Sequence, residues 1–221
     1  EISKIAKKHN LKVIVDGAQS FGATFNDVKD LVLGDIATTS FFPAKPLGCY
    51  GDGGAAFTND ENLAVKLKSL RLHGQSKRYH HQYIGIGGRL DTIQAAVLLV
   101  KLGHYKKDLS LRQEVASKYT DALQDKNVIL PYIDSRAQSA WAQYSIRIKN
   151  RDEVQLKLKE AGVPTAVHYP MPLHLQECFK YLGYKSGDFP IAEMISNEIM
   201  SLPMNPYLKD VEIEFIVENL K

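Results

Sequence analysis

A lysine set among apolar residues is the feature of this sequence that most clearly suggests chemistry. Lys45 lies in the segment S-F-F-P-A-K-P-L-G-C-Y-G-D-G-G-A, residues 40–55, beside phenylalanine, proline and leucine. Desolvation disfavours the charged form of an amine, so a lysine in apolar surroundings is more often neutral and nucleophilic towards a carbonyl carbon. The flanking prolines would fix the direction of the amine. On this local pattern alone, a surface lysine in a loop is an equally good interpretation.

A carboxylate and a hydroxyl end the two apolar runs that precede this lysine. Asp16 ends V-I-V-D and Ser40 ends I-A-T-T-S. Groups at the carboxyl ends of parallel strands often bind ligands. Each residue also has a plain alternative, because Asp16 is compatible with a turn or helix cap and Ser40 with a strand-end backbone contact. The run G-D-G-G, residues 51–54, lacks the spacing of the common nucleotide-binding motifs and indicates a tight turn.

Hydrophobic periodicity predicts an α/β fold with a mostly parallel sheet, in two domains, residues 1–103 and 104–221. A helix followed by a short β-branched strand, repeated, is typical of the first domain. The second is expected to be smaller, with an alternating strand that indicates antiparallel pairing. The predicted helices span residues 2–9, 60–72, 91–123 (with a bend near Gly103), 152–161, 190–200 and 210–220, and the predicted strands 11–15, 36–40, 128–130, 143–148 and 163–169.

Composition favours an ordinary globular protein without nucleic-acid or membrane partners. The chain is 44% apolar and 24% charged with a net charge of +3, and no apolar run is long enough for a membrane span. The densest basic stretch, Lys101 to Lys107, is predicted as a solvated helix face. Cys49 and Cys178 form no disulfide framework or metal-ligand spacing and suit a reducing cytoplasm. Because the chain opens inside a predicted helix without an initiator methionine, a fragment or a processed chain is expected.

No metal site is expected from the histidines. His73, His80 and His81 lie near one another in the sequence, but the adjacent pair diverges on any regular element. No carboxylate stands at ligand spacing from them.

Several motifs, taken in order along essentially the whole chain, resemble the DegT/DnrJ/EryC1/StrS family of nucleotide-sugar aminotransferases. They are V-I-V-D-G-A-Q-S-F-G-A, the Lys45 segment quoted above, R-L-H-G-Q-S-K-R-Y-H-H, G-G-R-L-D-T-I-Q-A-A-V-L, P-T-A-V-H-Y-P-M-P-L-H, F-P-I-A-E-M and S-L-P-M-N-P.

The resemblance implies a pyridoxal-phosphate-dependent aminotransferase of fold type I. It further implies a large α/β domain, of which this chain holds part, a small α/β C-terminal domain, and a homodimer with shared active sites. Lys45 would then hold pyridoxal 5′-phosphate as a Schiff base and Asp16 would pair with the ring nitrogen, which must stay protonated for the cofactor to act as an electron sink. Gln19 would lie near the phenolic oxygen, and Ser40 would bind the phosphate. Glutamate would supply the amino group.

The same resemblance implies the substrate class and the residues that bind it. The residues in these motifs are most similar to those of the subgroup that aminates position 3 of a UDP-linked N-acetyl-hexuronic acid. The product would then be used for bacterial surface glycans. Arg89 would bind the uronate carboxylate or the diphosphate, or form an ion pair with Asp91. His168 and Tyr169 would line the sugar-nucleotide site, although His168 is equally compatible with a strand-end histidine.

Two departures from the family pattern bear on activity. The family has an upstream stretch with a Gly-Thr phosphate-binding turn and a stacking aromatic, so a non-catalytic fragment that only dimerises or binds sugar nucleotide is the alternative. Gly87 stands where the family usually has an Asn that reaches the neighbouring subunit's cofactor phosphate. Its loss removes a charge-assisted hydrogen bond, ~1.5–3 kcal/mol, unless the Gly87 N–H replaces it. A dehydratase of the same superfamily would carry histidine in place of Lys45.

Overall fold

The computed structural model describes residues 1–220, which divide into two compact units. The first contains Glu1–Leu109 and Ile133–Ala142, and the second contains Ser110–Tyr132 and the chain from Gln143 onward. The boundary predicted between residues 103 and 104 falls inside a long helix, and as a domain boundary it stays a prediction.

The first unit is a mixed α/β structure, as the sequence predicted. The predicted first two helices are present with nearly the expected bounds, and Asp60 caps the second by accepting the backbone N–H groups of Asn62 and Leu63. Its helices are α1 (Ile2–Lys8), α2 (Glu61–Arg71) and the start of α3 (Thr92–Leu123), and its strands are β1 (Ile14–Asp16), β2 (Thr24–Phe25), β3 (Val28–Lys29), β4 (Ile36–Ser40), β5 (Gly54–Phe57), β6 (Gln75–Lys77), β7 (His80–His81) and β8 (Ala137–Gln138).

One sheet of this unit has the strand order β1, β4, β5. β1 and β4 are parallel, and β5 pairs with β4 in the antiparallel direction. The strand predicted at residues 36–40 is confirmed, while β5 was not predicted. Little of the described chain packs over Ile14 of β1, a residue that is 69% exposed.

A small sheet that the sequence did not predict contains β3, β2 and β8 in that order. Asn26 and Asp27 join β2 to β3 and both have positive φ, 48° and 61°. This is the backbone of a two-residue hairpin turn, for which Asn and Asp are favoured. Residues 73–88, predicted as loop, likewise contain the short hairpin β6–β7.

Helix α3 supplies one side of the core of the first unit. It begins at Thr92, continues without a break through Gly103, and ends at Leu123, where the sequence placed its end. Leu98 and Tyr105 pack in a buried cluster that contains residues from the segment after β4. The members of this cluster are Phe41, Leu47, Cys49, Leu98 and Tyr105.

The second unit combines an antiparallel strand pair with helices. The antiparallel strand predicted at residues 143–148 is confirmed, whereas residues 163–169 form no strand, because only Ala166 makes a ladder contact, to Ser201. Residues 128–130 also contribute a single bridge, from Ile129. The regular elements are the end of α3, β9 (Tyr144–Arg147), α4 (Arg151–Glu160), α5 (Pro190–Glu198), β10 (Ile199–Leu202) and α6 (Asp210–Glu218), with β9 paired to β10.

A carboxylate in the first turn of α5 ties together the segment that precedes this helix. Glu193 accepts hydrogen bonds from the Gly187 N–H at 2.8 Å and from the Ser186 hydroxyl at 3.0 Å, and pairs with His174 Nε2 at 3.0 Å. The ring of His174 also packs on Phe189. The Gly187 N–H, together with His174 and Ser186, holds the pKa of Glu193 below its ordinary value of 4.5.

We expect Glu193→Gln to lower the melting temperature at pH 7. Because the folded-state pKa lies below the unfolded one, the contribution of the carboxylate is present above pH 4.5 and is lost as the pH falls through the lowered pKa. The difference between parent and variant should therefore shrink below about pH 4. Melting curves followed by circular dichroism measure it.

Glu177→Gln is the matched control, because Glu177 makes only an exposed ion pair with Lys180 and should change stability little. A gap between parent and Glu193→Gln that is as large at pH 3.5 as at pH 7 would contradict the role given to the Glu193 charge.

Candidate active site

Asp16 and Ser40 lie on the same face of the sheet, at its carboxyl edge. Asp16 is the last residue of β1 and stands opposite Thr38 of β4. Paired residues in a sheet point to the same face, and side chains alternate along a strand. Ser40, two positions after Thr38, therefore shares the face of Asp16.

Hydrogen bonds beyond the strands hold this edge in register. The Gly17 N–H donates to the Thr38 carbonyl at 2.7 Å, and the Thr39 hydroxyl donates to the Gly17 carbonyl at 3.1 Å. Thr39 is buried on the opposite face, where this bond satisfies its hydroxyl. The loop after β1, which carries Gln19, is therefore fixed against β4 at its first residue.

Lys45 follows in a closed turn, residues 41–53, which we call the Lys45 turn. The Phe41 N–H donates to the Gly53 carbonyl and the Cys49 N–H to the Phe41 carbonyl, both at 2.8 Å, so the turn returns upon itself. Lys45 is half-buried. Phe41 and Leu47 are buried as expected, but Phe42 is 51% exposed, so the apolar surroundings predicted for the lysine are only partly present.

The polar groups at this edge have spare bonding capacity. Within residues 1–220, the Lys45 amine and the Gln19 amide make no hydrogen bond or ion pair. Asp16 uses one carboxylate oxygen to accept the Ala18 N–H. The Ser40 hydroxyl oxygen accepts the Phe42 N–H at 3.2 Å, which leaves its own proton available. An amine, a carboxylate oxygen, an amide and a hydroxyl donor are thus available to a ligand.

Arg89 and Gly87 lie in the segment before α3. Arg89 is exposed and, in the part of the chain that the structure describes, pairs with no carboxylate, so the ion pair with Asp91 is not formed. Gly87 bridges to Leu72. A side chain at Gly87 would begin 3.0 Å from Cε1 of His73, whose ring occupies the adjoining space.

The cavity of the first unit is distinct from this edge. It has a volume of about 1670 Å³ and is lined mainly by apolar residues, among them residues of β5, α2 and α3, with Thr38 and Thr39 contributed by β4. Arg89 contributes to its wall, but Asp16, Gln19, Ser40 and Lys45 do not. The groups with spare bonding capacity, rather than this cavity, therefore define the candidate site.

His168 and Tyr169 belong to the second unit. His168 Nδ1 lies 3.0 Å from the Ser201 hydroxyl, which in turn lies 2.9 Å from the Ser145 hydroxyl. His168 is half-buried and Tyr169 is 66% exposed. One ring nitrogen of His168 is therefore satisfied internally, while the other makes no hydrogen bond within the described residues.

Among residues 1–220, no group of three or more His, Cys, Asp and Glu side chains could hold a metal ion. Over the same residues, no helix is both long enough and apolar enough to cross a membrane.

Lys101 is a residue of this site that the sequence prediction placed wrongly. It was assigned to a solvated helix face, but it is half-buried and its ammonium donates to the Gly48 carbonyl of the Lys45 turn at 2.6 Å. Its position, three residues after Leu98 and four before Tyr105, puts it on the buried stripe of α3. That spacing was the available signal.

The sequence of residues 1–221 matches the DegT/DnrJ/EryC1/StrS aminotransferase family throughout its length. The chain belongs to this family. The fold-type expectation is confirmed by a solved DegT/DnrJ/EryC1/StrS aminotransferase from Brucella abortus, which is 43% identical with a TM-score of 0.93 over 99% of this chain and 59% of that one.

Two curated proteins are similar to nearly the whole of this chain. UDP-2-acetamido-2-deoxy-3-oxo-D-glucuronate aminotransferase of Pseudomonas aeruginosa is 46% identical over 97% of this chain and 59% of its own length. A pleiotropic regulatory protein of Geobacillus stearothermophilus is 45% identical over 99% of this chain and 60% of its own. The chain thus spans about three fifths of the length of these relatives.

We expect Gly48→Ala to destabilise this family member and to open the Lys45 turn. The added carbon would lie 2.7 Å from the carbonyl oxygens of Phe42 and Pro43, and backbone atoms cannot move aside as a side chain can. Overpacking of this kind costs about 1–3 kcal/mol. Urea unfolding, followed by circular dichroism and by the fluorescence of Trp141, measures the change.

Gly103→Ala is the matched control. No atom lies within 4 Å of the carbon it adds, and alanine is favoured over glycine inside a helix by about 0.5–1 kcal/mol. If both variants were equally stable, the close packing assigned to the Lys45 turn would be wrong.

Proposed function

We propose that this chain is part of an aminotransferase that binds pyridoxal 5′-phosphate at Lys45 and transfers an amino group to a keto group of a nucleotide-linked sugar. The observation that carries the proposal is the spare bonding capacity of Lys45, Asp16 and Ser40 at one sheet edge, in a chain of an aminotransferase family. These groups fit the cofactor chemically, because it offers an aldehyde, a basic ring nitrogen and a phosphate.

When bound, the cofactor supplies an electron sink for the carbon that exchanges its amino group. One oxygen of the Asp16 carboxylate is free to accept a hydrogen bond from the protonated ring nitrogen, which would keep that nitrogen charged. The Ser40 hydroxyl would donate to the phosphate, and the amide of Gln19 would lie near the phenolic oxygen. The Asp16 carboxylate accepts the backbone N–H of Ala18, and the Ser40 hydroxyl accepts that of Phe42. These bonds orient both side chains before the cofactor binds.

Lys45 has two tasks in this proposal. Its amine would hold the cofactor at the aldehyde carbon. When that amine is free, Nζ would serve as the base that moves a proton between the cofactor carbon C4′ and the sugar carbon. An amine that is half-buried and without a bonding partner in residues 1–220 suits both tasks, since no bond to these residues has to be broken before it reacts.

The substrate that we infer is a UDP-linked N-acetyl-hexuronic acid with a keto group at C3, and the amino donor is glutamate. The name of the Pseudomonas aeruginosa relative supports this choice. The guanidinium of Arg89 pairs with no carboxylate among residues 1–220, which leaves it available to a carboxylate or a diphosphate of the substrate, and we assign His168 and Tyr169 to the sugar-nucleotide site. The product would serve a bacterial surface glycan.

We further propose that the protein is a cytoplasmic homodimer with shared active sites. Cys49 and Cys178 are free thiols, which suits a reducing compartment. Gly87 would contribute its backbone N–H to the neighbouring subunit's cofactor phosphate.

We expect added cofactor to become attached to Lys45 in the purified protein. Borohydride reduction followed by peptide mass spectrometry locates the attachment. Lys45→Ala should abolish it, and Lys45→Arg, which keeps the charge but cannot form the bond, should do the same. With glutamate and the UDP-linked 3-keto uronate, the parent should form the 3-amino sugar and both variants should not.

Attachment spread over other lysines, or retained in Lys45→Arg, would contradict the proposal. Site-specific attachment without amino transfer would instead favour the alternative of a non-catalytic chain that retains only binding.

A second prediction concerns Asp16. Asp16→Asn should leave attachment at Lys45 intact but slow amino transfer by roughly tenfold or more, because a charge-assisted hydrogen bond worth ~1.5–3 kcal/mol is lost where the ring nitrogen must stay protonated. Single-turnover rates with glutamate measure this effect. Asp27→Asn is the matched control, since Asp27 lies in the β2–β3 turn with φ 61°, which Asn also favours. Equal rates for both variants would remove Asp16 from the site.

A further inference from the structure

The Lys45 turn is held from one side by a polar pair on α3. Gln94 Oε1 accepts the Tyr50 N–H at 2.7 Å, and Lys101 Nζ donates to the Gly48 carbonyl at 2.6 Å. Gln94, Leu98, Lys101 and Tyr105 are spaced by four, three and four residues, which places them on one stripe of the helix. The polar members of this stripe contact the backbone of the turn, and the apolar members enter the core beside it.

The surroundings of Lys101 are unusual for a lysine. Its ammonium lies 4.7 Å from the centre of the Tyr50 ring and bonds to a carbonyl, and within residues 1–220 it pairs with no carboxylate. Partial burial of an ammonium is costly unless its contacts compensate, and a charge-assisted bond with a cation–π contact provides that compensation. Lys107, on the same helix, is exposed and makes no such contacts.

The Gly48 carbonyl, which Lys101 binds, lies in a closely packed part of the turn that carries Lys45. Among the described residues, Lys101 is the one donor to the Gly48 carbonyl. Gly48 packs so closely on the Phe42 and Pro43 carbonyls that a Cβ would lie 2.7 Å from each. The Lys45 N–H donates to the same Phe42 carbonyl at 2.9 Å. Rotation of the Gly48 peptide would therefore disturb the contacts that set the backbone at Lys45.

We propose that Lys101 is a positioning residue for Lys45: its ammonium fixes the Gly48 carbonyl and thereby aims the Lys45 amine at the cofactor aldehyde. This inference rests on the proposed function of Lys45. Lys101 does not itself touch the cofactor or the substrate in this scheme.

The test measures how fast Lys45 binds an aldehyde, and it does not depend on enzymatic activity. Protein freed of cofactor is mixed with pyridoxal 5′-phosphate or with pyridoxal, and the attachment at Lys45 is trapped with borohydride and quantified by mass spectrometry. Pyridoxal lacks the phosphate, so an effect common to both aldehydes reports on the amine rather than on phosphate binding.

We expect Lys101→Met to slow attachment of both aldehydes about tenfold, as the loss of one charge-assisted hydrogen bond allows. Lys101→Arg, which keeps the charge and the donor, should restore the rate to within about threefold of the parent. Lys107→Met, on the exposed side of the same helix, should leave the rate unchanged. All rates are taken at least about 10 °C below each variant's melting temperature, so that a stability loss by itself does not slow attachment.

Attachment by Lys101→Met at the parental rate would overturn the positioning role. If Lys101→Met does not fold, Lys101→Ala, which removes the donor without adding an apolar side chain, is compared with Lys107→Ala, and equal rates would again overturn it. Failure of the proposed function would give a different result. In that case the parent and Lys45→Arg would show the same attachment, because none of it would depend on Lys45.

Discussion

The parallel register between β1 and β4 is the constraint on which the candidate site depends. Asp16 stands opposite Thr38, so Asp16 and Ser40 share one face at the carboxyl edge. A slip of one residue would send Asp16 to the other face, where Thr39 is buried. The bonds of Gly17 to Thr38 and of Thr39 to Gly17 extend the pairing past the strand ends and oppose such a slip.

The lysine itself depends on a different kind of support. The Lys45 turn has few regular backbone bonds to a strand, so its shape comes from its own closed hydrogen bonds, the burial of Phe41 and Leu47, and contacts from α3. Two glycines permit this compactness, because side chains at Gly48 or Gly53 would meet backbone or core atoms. The turn thus presents a half-buried amine on a rigid base, which suits a group that must react in one direction.

In the second unit, residues 163–169 do not form the strand that the sequence predicted, and a side-chain hydrogen bond of His168 links them to β10. His168 Nδ1 lies within hydrogen-bond distance of the Ser201 hydroxyl, which in turn bonds to Ser145. This contact joins segments distant in sequence and supports a stretch in which only Ala166 makes a ladder contact with β10. Farther along the chain, Glu193 ties the loop before α5 to His174.

The sequence by itself determined the family, the helix bounds to within two residues, the α/β character and the candidate residues at the strand ends, because motif order, periodicity and capping are local properties. It did not show β10, whose first residues fall in the helix predicted at 190–200. Only the tertiary structure decided which face Asp16 shares, how far Lys45 is enclosed, that Arg89 has no partner among the described residues, and that Lys101 lies against the turn rather than in solvent. Those outcomes depend on strand register and on which stripe of α3 packs inward. Both are set by contacts between residues far apart in the chain. Local spacing shows that Lys101 shares a stripe with Leu98 and Tyr105, but it does not show what that stripe contacts.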